Sequence, residues 1–296
     1  MTKIPEFFIV GAPKCGTTTL YNWLKEHPDL FLPQQKEPHY FAQNLSDRYC
    51  RIRDKESYLD LFSPASDGQK CGEASVLYCF FDKSIGSILK FNPKAKIIYM
   101  LRNPVNVVPS YHAQLQVNLE ENQKNIEKSW DLQAERKAGQ NLPKTSQDPY
   151  LLQYLKVCAT GSHLQNIINL VPQKQRMVIF LDDLASDPEK IYHQVLEFLE
   201  VENHGRTDFL KANESAGIQF TFLQKILTSQ SIFIKPIRKV ARKILPRHFL
   251  LNFNRRKKDR DPLQSEFKKK LLKAFADDIS LTEKLTKRNL SHWRNQ

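Results

Sequence analysis

No apolar run in this 296-residue chain reaches the roughly 18 residues of a membrane-spanning helix. The amino terminus, Met1-Thr2-Lys3-Ile4-Pro5-Glu6, leads straight into an apolar stretch with no cleavable signal pattern, so the sequence is expected to act in the cytoplasm without a transmembrane segment. The five cysteines (Cys15, Cys50, Cys71, Cys79, Cys158) are odd in number, scattered, and show no C-x-x-C or Cys/His ligand spacing. That excludes a disulfide framework and argues for reduced thiols and no metal site. There is no internal repeat, no low-complexity tract and no nucleic-acid motif, and nucleic acid is not expected as a partner. Hydrophobic residues make up 41% of the chain, enough for one sizeable core.

What is present in excess is positive charge, and it is local. The net charge is +13, and the stretch from Lys235 to Lys273 alone holds fifteen Lys or Arg against Asp259, Asp261 and Glu266, leaving the remainder near neutral. Such a segment draws anionic partners, and a non-enzymatic polyanion-binding protein is one reading of it.

A second reading starts at Phe7-Phe8-Ile9-Val10, whose length and character predict a buried parallel strand. It runs into Gly11-Ala12-Pro13-Lys14-Cys15-Gly16, then Thr17, Thr18 and Thr19 at a predicted helix start, with Leu20, Trp23 and Leu24 forming an apolar stripe before Pro28. A strand, a lysine-bearing turn and a helix amino terminus collect free N–H groups, a dipole end, hydroxyls and an ammonium around one anion. A nucleotide-triphosphatase loop would place its lysine directly after the second glycine, where this chain has Thr17.

A second strand pattern, Ala95 to Leu101, ends in Arg102, and Asn103-Pro104 then opens a helix that carries Ser110. Parallel sheets place ligands at the carboxyl ends of their strands, so Arg102 is expected on the same rim as Lys14. A third strand, Arg176 to Phe180, runs into Leu181-Asp182-Asp183-Leu184, and Asp187-Pro188 caps a further helix. An aspartate pair at such a strand end can hold Mg²⁺, which keeps a P-loop nucleotide kinase or triphosphatase using Asp182 and Asp183 as an alternative.

These motifs together resemble the sulfotransferases that use 3′-phosphoadenosine 5′-phosphosulfate (PAPS), the bacterial and glycosaminoglycan-type members in particular. The resemblance rests on Pro13-Lys14-Cys15-Gly16-Thr17-Thr18, Lys36-Glu37-Pro38-His39-Tyr40-Phe41, Gly72-Glu73-Ala74-Ser75-Val76-Leu77-Tyr78, and Arg102-Asn103-Pro104 with Ser110. It resumes at Asp278-Ile279, Leu285 and Trp293. It implies one α/β domain over residues 1–296, a P-loop-like central parallel sheet flanked by helices with a basic helical carboxyl-terminal part (213–296). It implies that Lys14, Cys15, Gly16, Thr17, Thr18 and Thr19 hold the 5′-phosphosulfate, that Arg102 and Ser110 hold the 3′-phosphate, and that Glu37 is the general base, with His39 orienting it or serving in its stead. The product would be adenosine 3′,5′-bisphosphate and the acceptor a hydroxyl or amine of a glycan, lipid or small metabolite. Glu73 and Ser75 are read as structural or substrate-contacting alike, and Asp182-Asp183 as scaffold.

Where many relatives carry a second arginine, this chain has Val107. The polar stretch 120–149 reads as an insertion or mobile lid, and Arg255, Arg256, Lys257 and Lys258 are candidates to complete the nucleotide site.

Overall fold

The computed structural model describes residues 3–209 and 263–295, together with the backbone of 216–218 and 255–257. Five parallel strands form the central sheet in the order β2-β3-β1-β4-β5: β1 is Phe7–Gly11, β2 Leu30–Phe31, β3 Lys70–Ala74, β4 Lys96–Leu101 and β5 Arg176–Phe180. Backbone 216–218 and 255–257 form a separate antiparallel pair, β6 and β7. Strand β1 is buried along its whole length, as a central parallel strand covered by helices on both faces must be. Strands β2 and β3 lie in stretches that showed no such run, because Lys70-Cys71-Gly72-Glu73-Ala74 places a glycine and a carboxylate where apolar bulk marks a strand. Gly72 is needed there because the ring of Phe7 sits where a Cβ would be.

The connecting helices are α1 (Thr17–Lys25), α2 (Lys55–Asp60), α3 (Asp82–Phe91), α4 (Pro104–Val117), α5 (Ile126–Asp131), α6 (Gln133–Lys137), α7 (Tyr154–Val157), α8 (Thr160–Leu170), α9 (Leu181–Ser186) and α10 (Pro188–Leu199). Three more close the chain: α11 (Ser265–Ala274), α12 (Ala276–Thr286) and α13 (Ser291–Arg294). Asp278 of α12 accepts from the N–H groups of Gly161 and Ser162 at 2.9 and 2.8 Å, satisfying the exposed amino-terminal donors of α8 and fixing the carboxyl-terminal helices to it. Helix α13 seats Trp293 in the core beside Phe180 at the end of β5.

Residues 120–149 hold α5 and α6 and are anchored from within. Glu121 and Arg136, both side chains fully buried, pair through two bonds of 2.6 and 2.8 Å, and Tyr154 donates to the same carboxylate at 2.8 Å. Burial pushes the Glu121 carboxyl up, yet Arg136 and the other donors hold it below the usual range. Beside it, the buried Glu120 accepts from Arg48 at 2.7 Å.

Among the described residues no helix is long and apolar enough to cross a membrane. The four adjacent basic residues 255–258, and the larger part of the basic stretch, lie outside those whose side chains the structure describes.

Candidate active site

Lys14, Gly16, Thr17, Thr18, Thr19, Glu37, Arg102 and Ser110 line one cavity of about 750 Å³ at the carboxyl ends of β1 and β4. The turn that presents the first group depends on two glycines. Gly16 has φ +90° and a Cβ there would stand 2.7 Å from Leu181 Cδ1, while Gly11 has φ +147° and a Cβ would meet Cys79 Sγ at 2.4 Å. Cys15 N–H is bonded to Ala12 O at 3.3 Å and Thr19 N–H to Gly16 O at 3.0 Å. Thr17 and Thr18 open α1, whose cap residue Gly16 brings no side-chain acceptor, so their amides are the ones an anion would meet.

Cys15 itself is not brought to the cavity. Its side chain is buried in the core and donates to Pro13 O, and burial pushes the thiol up to about 12 despite Arg102 and Lys14 nearby. The thiol is therefore neutral and turned inward, away from the cavity.

Two cations are tied to each other. Arg102 Nη1 donates to the carbonyl of Lys14 at 3.3 Å, and Lys14 Nζ donates to Gln114 Oε1 of α4 at 3.3 Å. Lys14 has φ +65°, a left-handed backbone that non-glycine residues adopt only when their surroundings demand it. Ser110 lies on the same helix as Gln114, one residue after Pro109, and reaches the same cavity. Val107, by contrast, is buried in the core.

Opposite them is the loop 34–41. Glu37 is partly exposed (28%), with Lys36 Nζ at 3.0 Å and His39 Nε2 at 3.2 Å from its carboxylate oxygens. Burial pushes this carboxyl up, but Lys36 and then His39 outweigh it and hold it well below the usual carboxylate range. His39 does not line the cavity: it lies beneath Glu37, 2% exposed, its ring edge-on to Tyr49 and Tyr78.

Lys36 was not among the residues singled out from sequence as functional, yet its ammonium also donates to Thr18 Oγ1 at 3.3 Å and so connects the anion cradle to Glu37. Its place beside Glu37 in the motif was the available signal. Trp23 and Phe209 were missed as well. They line the cavity with rings 5.1 Å apart, and nothing in their local pattern distinguishes them from core aromatics.

Asp182 and Asp183 face the carboxyl-terminal helices. Arg288 grips Asp183 through two bonds, one of 2.6 Å, and Trp293 Nε1 donates to Asp182 at 3.0 Å. These contacts are those of scaffold, and they withdraw the observation that favoured a magnesium-dependent kinase. Elsewhere His27, Asp29 and His204 bring possible metal ligands within 4.8 Å of one another. His27 Nδ1 accepts from Asp29 N–H, so Nε2 carries the proton donated to Glu202 O at 2.8 Å, and neither nitrogen is left to ligate.

Comparison with known proteins agrees with this arrangement. Residues 5–216 match the family model described as "Sulfotransferase domain". Human carbohydrate sulfotransferase 15 is 27% identical over 253 aligned residues, covering 67% of this chain and 44% of the relative. Human heparan sulfate glucosamine 3-O-sulfotransferase 6 is 34% identical over 112 residues, covering 38% of this chain and 31% of the relative. The chain thus spans less than half the length of these curated relatives. Among solved structures, a sulfotransferase from Alicyclobacillus acidocaldarius superposes with a TM-score of 0.72 at 26% identity, covering 98% of this chain and 99% of that one.

Proposed function

From the premise that the chain belongs to the sulfotransferase domain family, we propose that it transfers a sulfuryl group from PAPS to a hydroxyl or amine of an acceptor molecule. The observation that carries this reading is that Lys14, the threonine cradle, Arg102, Ser110 and Glu37 all open onto one cavity. PAPS supplies the activated sulfuryl group and a phosphate leaving group, with adenosine 3′,5′-bisphosphate as the product.

The residues present fit such a molecule. Amides of Thr17 and Thr18 and the threonine hydroxyls suit one phosphate, and Arg102 with Ser110 suits a second, which would select PAPS over adenylates lacking a 3′-phosphate. Trp23 and Phe209 give the same cavity an aromatic wall that suits a nucleobase. Sulfuryl transfer, like phosphoryl transfer, demands chiefly alignment and stabilisation of the negative charge gathering on the equatorial and leaving oxygens. Lys14 is placed to meet that charge.

Glu37 takes the proton from the acceptor. Its carboxyl is held ionised by Lys36 and His39, so it carries no proton at physiological pH, and the same two partners make it a weaker base than an ordinary carboxylate; a general base typically contributes about 10² to 10⁴ in rate. The acceptor class stays open between glycan, lipid and small metabolite.

A thermal-shift panel tests the reading. PAPS is expected to raise the melting temperature more than adenosine 5′-phosphosulfate does, and ATP with Mg²⁺ to do neither. A shift with ATP and Mg²⁺ alone would restore the kinase, and salt-steep binding of heparin without any nucleotide effect would favour a polyanion binder. Turnover is then sought with heparan sulfate, p-nitrophenol and dodecanol as acceptors.

A further inference from the structure

The reading above leaves a buried carboxylate unexplained. Glu73 lies on β3, 1% exposed, on the strand next to β1 and behind the loop that carries Glu37. Ser75 Oγ donates to Glu73 Oε1 at 2.6 Å, and Tyr58 and Tyr78 hydroxyls donate to Oε2 at 2.5 and 3.2 Å. Two of these three hydroxyls also accept. Ser75 Oγ receives the backbone N–H of His39 at 3.0 Å, and Tyr78 Oη receives that of Phe41 at 3.2 Å.

A hydroxyl has one proton to give. Ser75 and Tyr78 thus accept from the loop and donate to Glu73, so each hydroxyl links a loop amide to the same carboxyl group. Ser75 is itself anchored to the sheet, its N–H bonded to Ile9 O of β1 at 3.1 Å. The loop between Glu37 and Phe41 therefore hangs from the rigid sheet through two hydroxyls held by one buried carboxyl group.

The loop needs such a hold. Glu37 and His39 have φ of +60° and +54°, a left-handed backbone that side-chain-bearing residues seldom adopt and keep only when the surroundings over-determine it. Around His39, the Ser75 bond to its amide and the rings of Tyr49 and Tyr78 tie it to the sheet side, beside its contact with Glu37 and the Ala42 N–H bond to its carbonyl.

We propose that Glu73 is a positioning residue for the reaction: acting through Ser75 and Tyr78, it fixes the backbone of residues 37–41 so that the Glu37 carboxylate faces the cavity. The inference rests on Glu37 being the base. Burial outweighs the three hydroxyl donors and His39 and leaves the Glu73 carboxyl above its ordinary value, as for a group held in the core for its hydrogen bonds. Direct contact with substrate is not part of its role, because Glu73 does not line the cavity.

Glu73→Gln is the first test, measured in the full chain. The amide's NH₂ must face either the Ser75 hydroxyl or the two tyrosine hydroxyls, so at least one link reverses. Peptide-resolved hydrogen exchange is expected to speed up at least tenfold at the amides of residues 39–42 while β1 and β4 keep their protection. The thermal shift with PAPS is expected to persist, and kcat on the panel acceptor that turns over to fall at least tenfold with little change in the KM for PAPS.

Ser75→Ala, which removes the acceptor of the His39 amide and one donor to Glu73 but leaves the Tyr78 link, is expected to repeat the exchange effect and a smaller kcat loss should Glu73→Gln fail to fold. In a Glu37→Gln background, Glu73→Gln is expected to cost nothing further in kcat, because the residue it positions is already disabled. Unchanged exchange at 39–42 in both variants overturns the proposal, as does an additive loss in the double variant or an equal loss of PAPS binding. A wild-type chain that gives no shift with PAPS would instead overturn the assignment of the donor, leaving the exchange result to judge the loop on its own.

Discussion

Arg102→Ala tests the donor site most directly. The guanidinium offers five donors, of which one goes to the Lys14 carbonyl at 3.3 Å, so the remainder can serve a phosphate in the cavity. A charge-assisted hydrogen bond contributes about 1.5–3 kcal/mol, which is about 10- to 150-fold in affinity. That loss is expected for PAPS and only slightly for adenosine 5′-phosphosulfate, which has no 3′-phosphate to grip. At PAPS a hundredfold above its wild-type Kd the ligand stabilises the fold by about 2.7 kcal/mol. A hundredfold weaker site brings this to about 0.4 kcal/mol at the same concentration, a thermal shift smaller by about 4 °C for a chain of this length. Isothermal titration with both nucleotides reads the same difference as a ratio of affinities. Equal losses for the two nucleotides would show that Arg102 acts by holding the Lys14 backbone, and no loss for either would remove it from the site. Arg102→Lys sharpens the contrast, since one ammonium cannot hold the carbonyl and fork onto a phosphate together.

Gly16→Ala is expected to destabilise by about 2–5 kcal/mol, from the left-handed backbone and from a Cβ 2.7 Å from Leu181 Cδ1, and adding Leu181→Ala should recover the contact part alone in urea titrations. Lys36→Met removes the strongest group holding the Glu37 carboxyl down, so burial is left to push it up. The acid limb of kcat/KM, expected below about pH 4 in the wild type, should move to higher pH, and an unmoved limb would detach Lys36 from the base. Arg136→Met strands Glu121 in the interior and is expected to cost about 3–5 kcal/mol, far more than Glu121→Gln combined with Arg136→Met. Because the folded Glu121 carboxyl is depressed, its contribution is present above the unfolded value of about 4.3 and is lost as pH falls through the folded one. Urea midpoints at pH 7 and pH 3 should therefore lie closer together in Glu121→Gln.

Strands β1, β4 and β5 were legible in the sequence because each is a short apolar run closed by a turn signal, and the ends of β1 and β4 supplied Lys14 and Arg102. Strand β3 was hidden for a physical reason: its Glu73 is a buried polar anchor, which an apolar pattern cannot contain. The left-handed turns at Lys14, Glu37 and His39 were equally silent, since none is a glycine and each is imposed by tertiary contacts. The inward turn of the Cys15 thiol was not legible, because adjacency in a loop says nothing about which way a side chain turns. Lys36 could be seen only as a neighbour of Glu37. That the same ammonium reaches Thr18, eighteen positions earlier, depends on the fold bringing two loops together.

The strand order has one further bearing. Lys14 and Arg102 leave β1 and β4, whereas the Glu37 loop is suspended from β3 on the opposite flank of β1. On the proposed assignment, the donor grip comes from the ends of β1 and β4 and proton acceptance from the β3 side of the sheet. Descendants of such a chain could exchange one acceptor for another by rewriting the loops on the β3 side, and the nucleotide would be held as before.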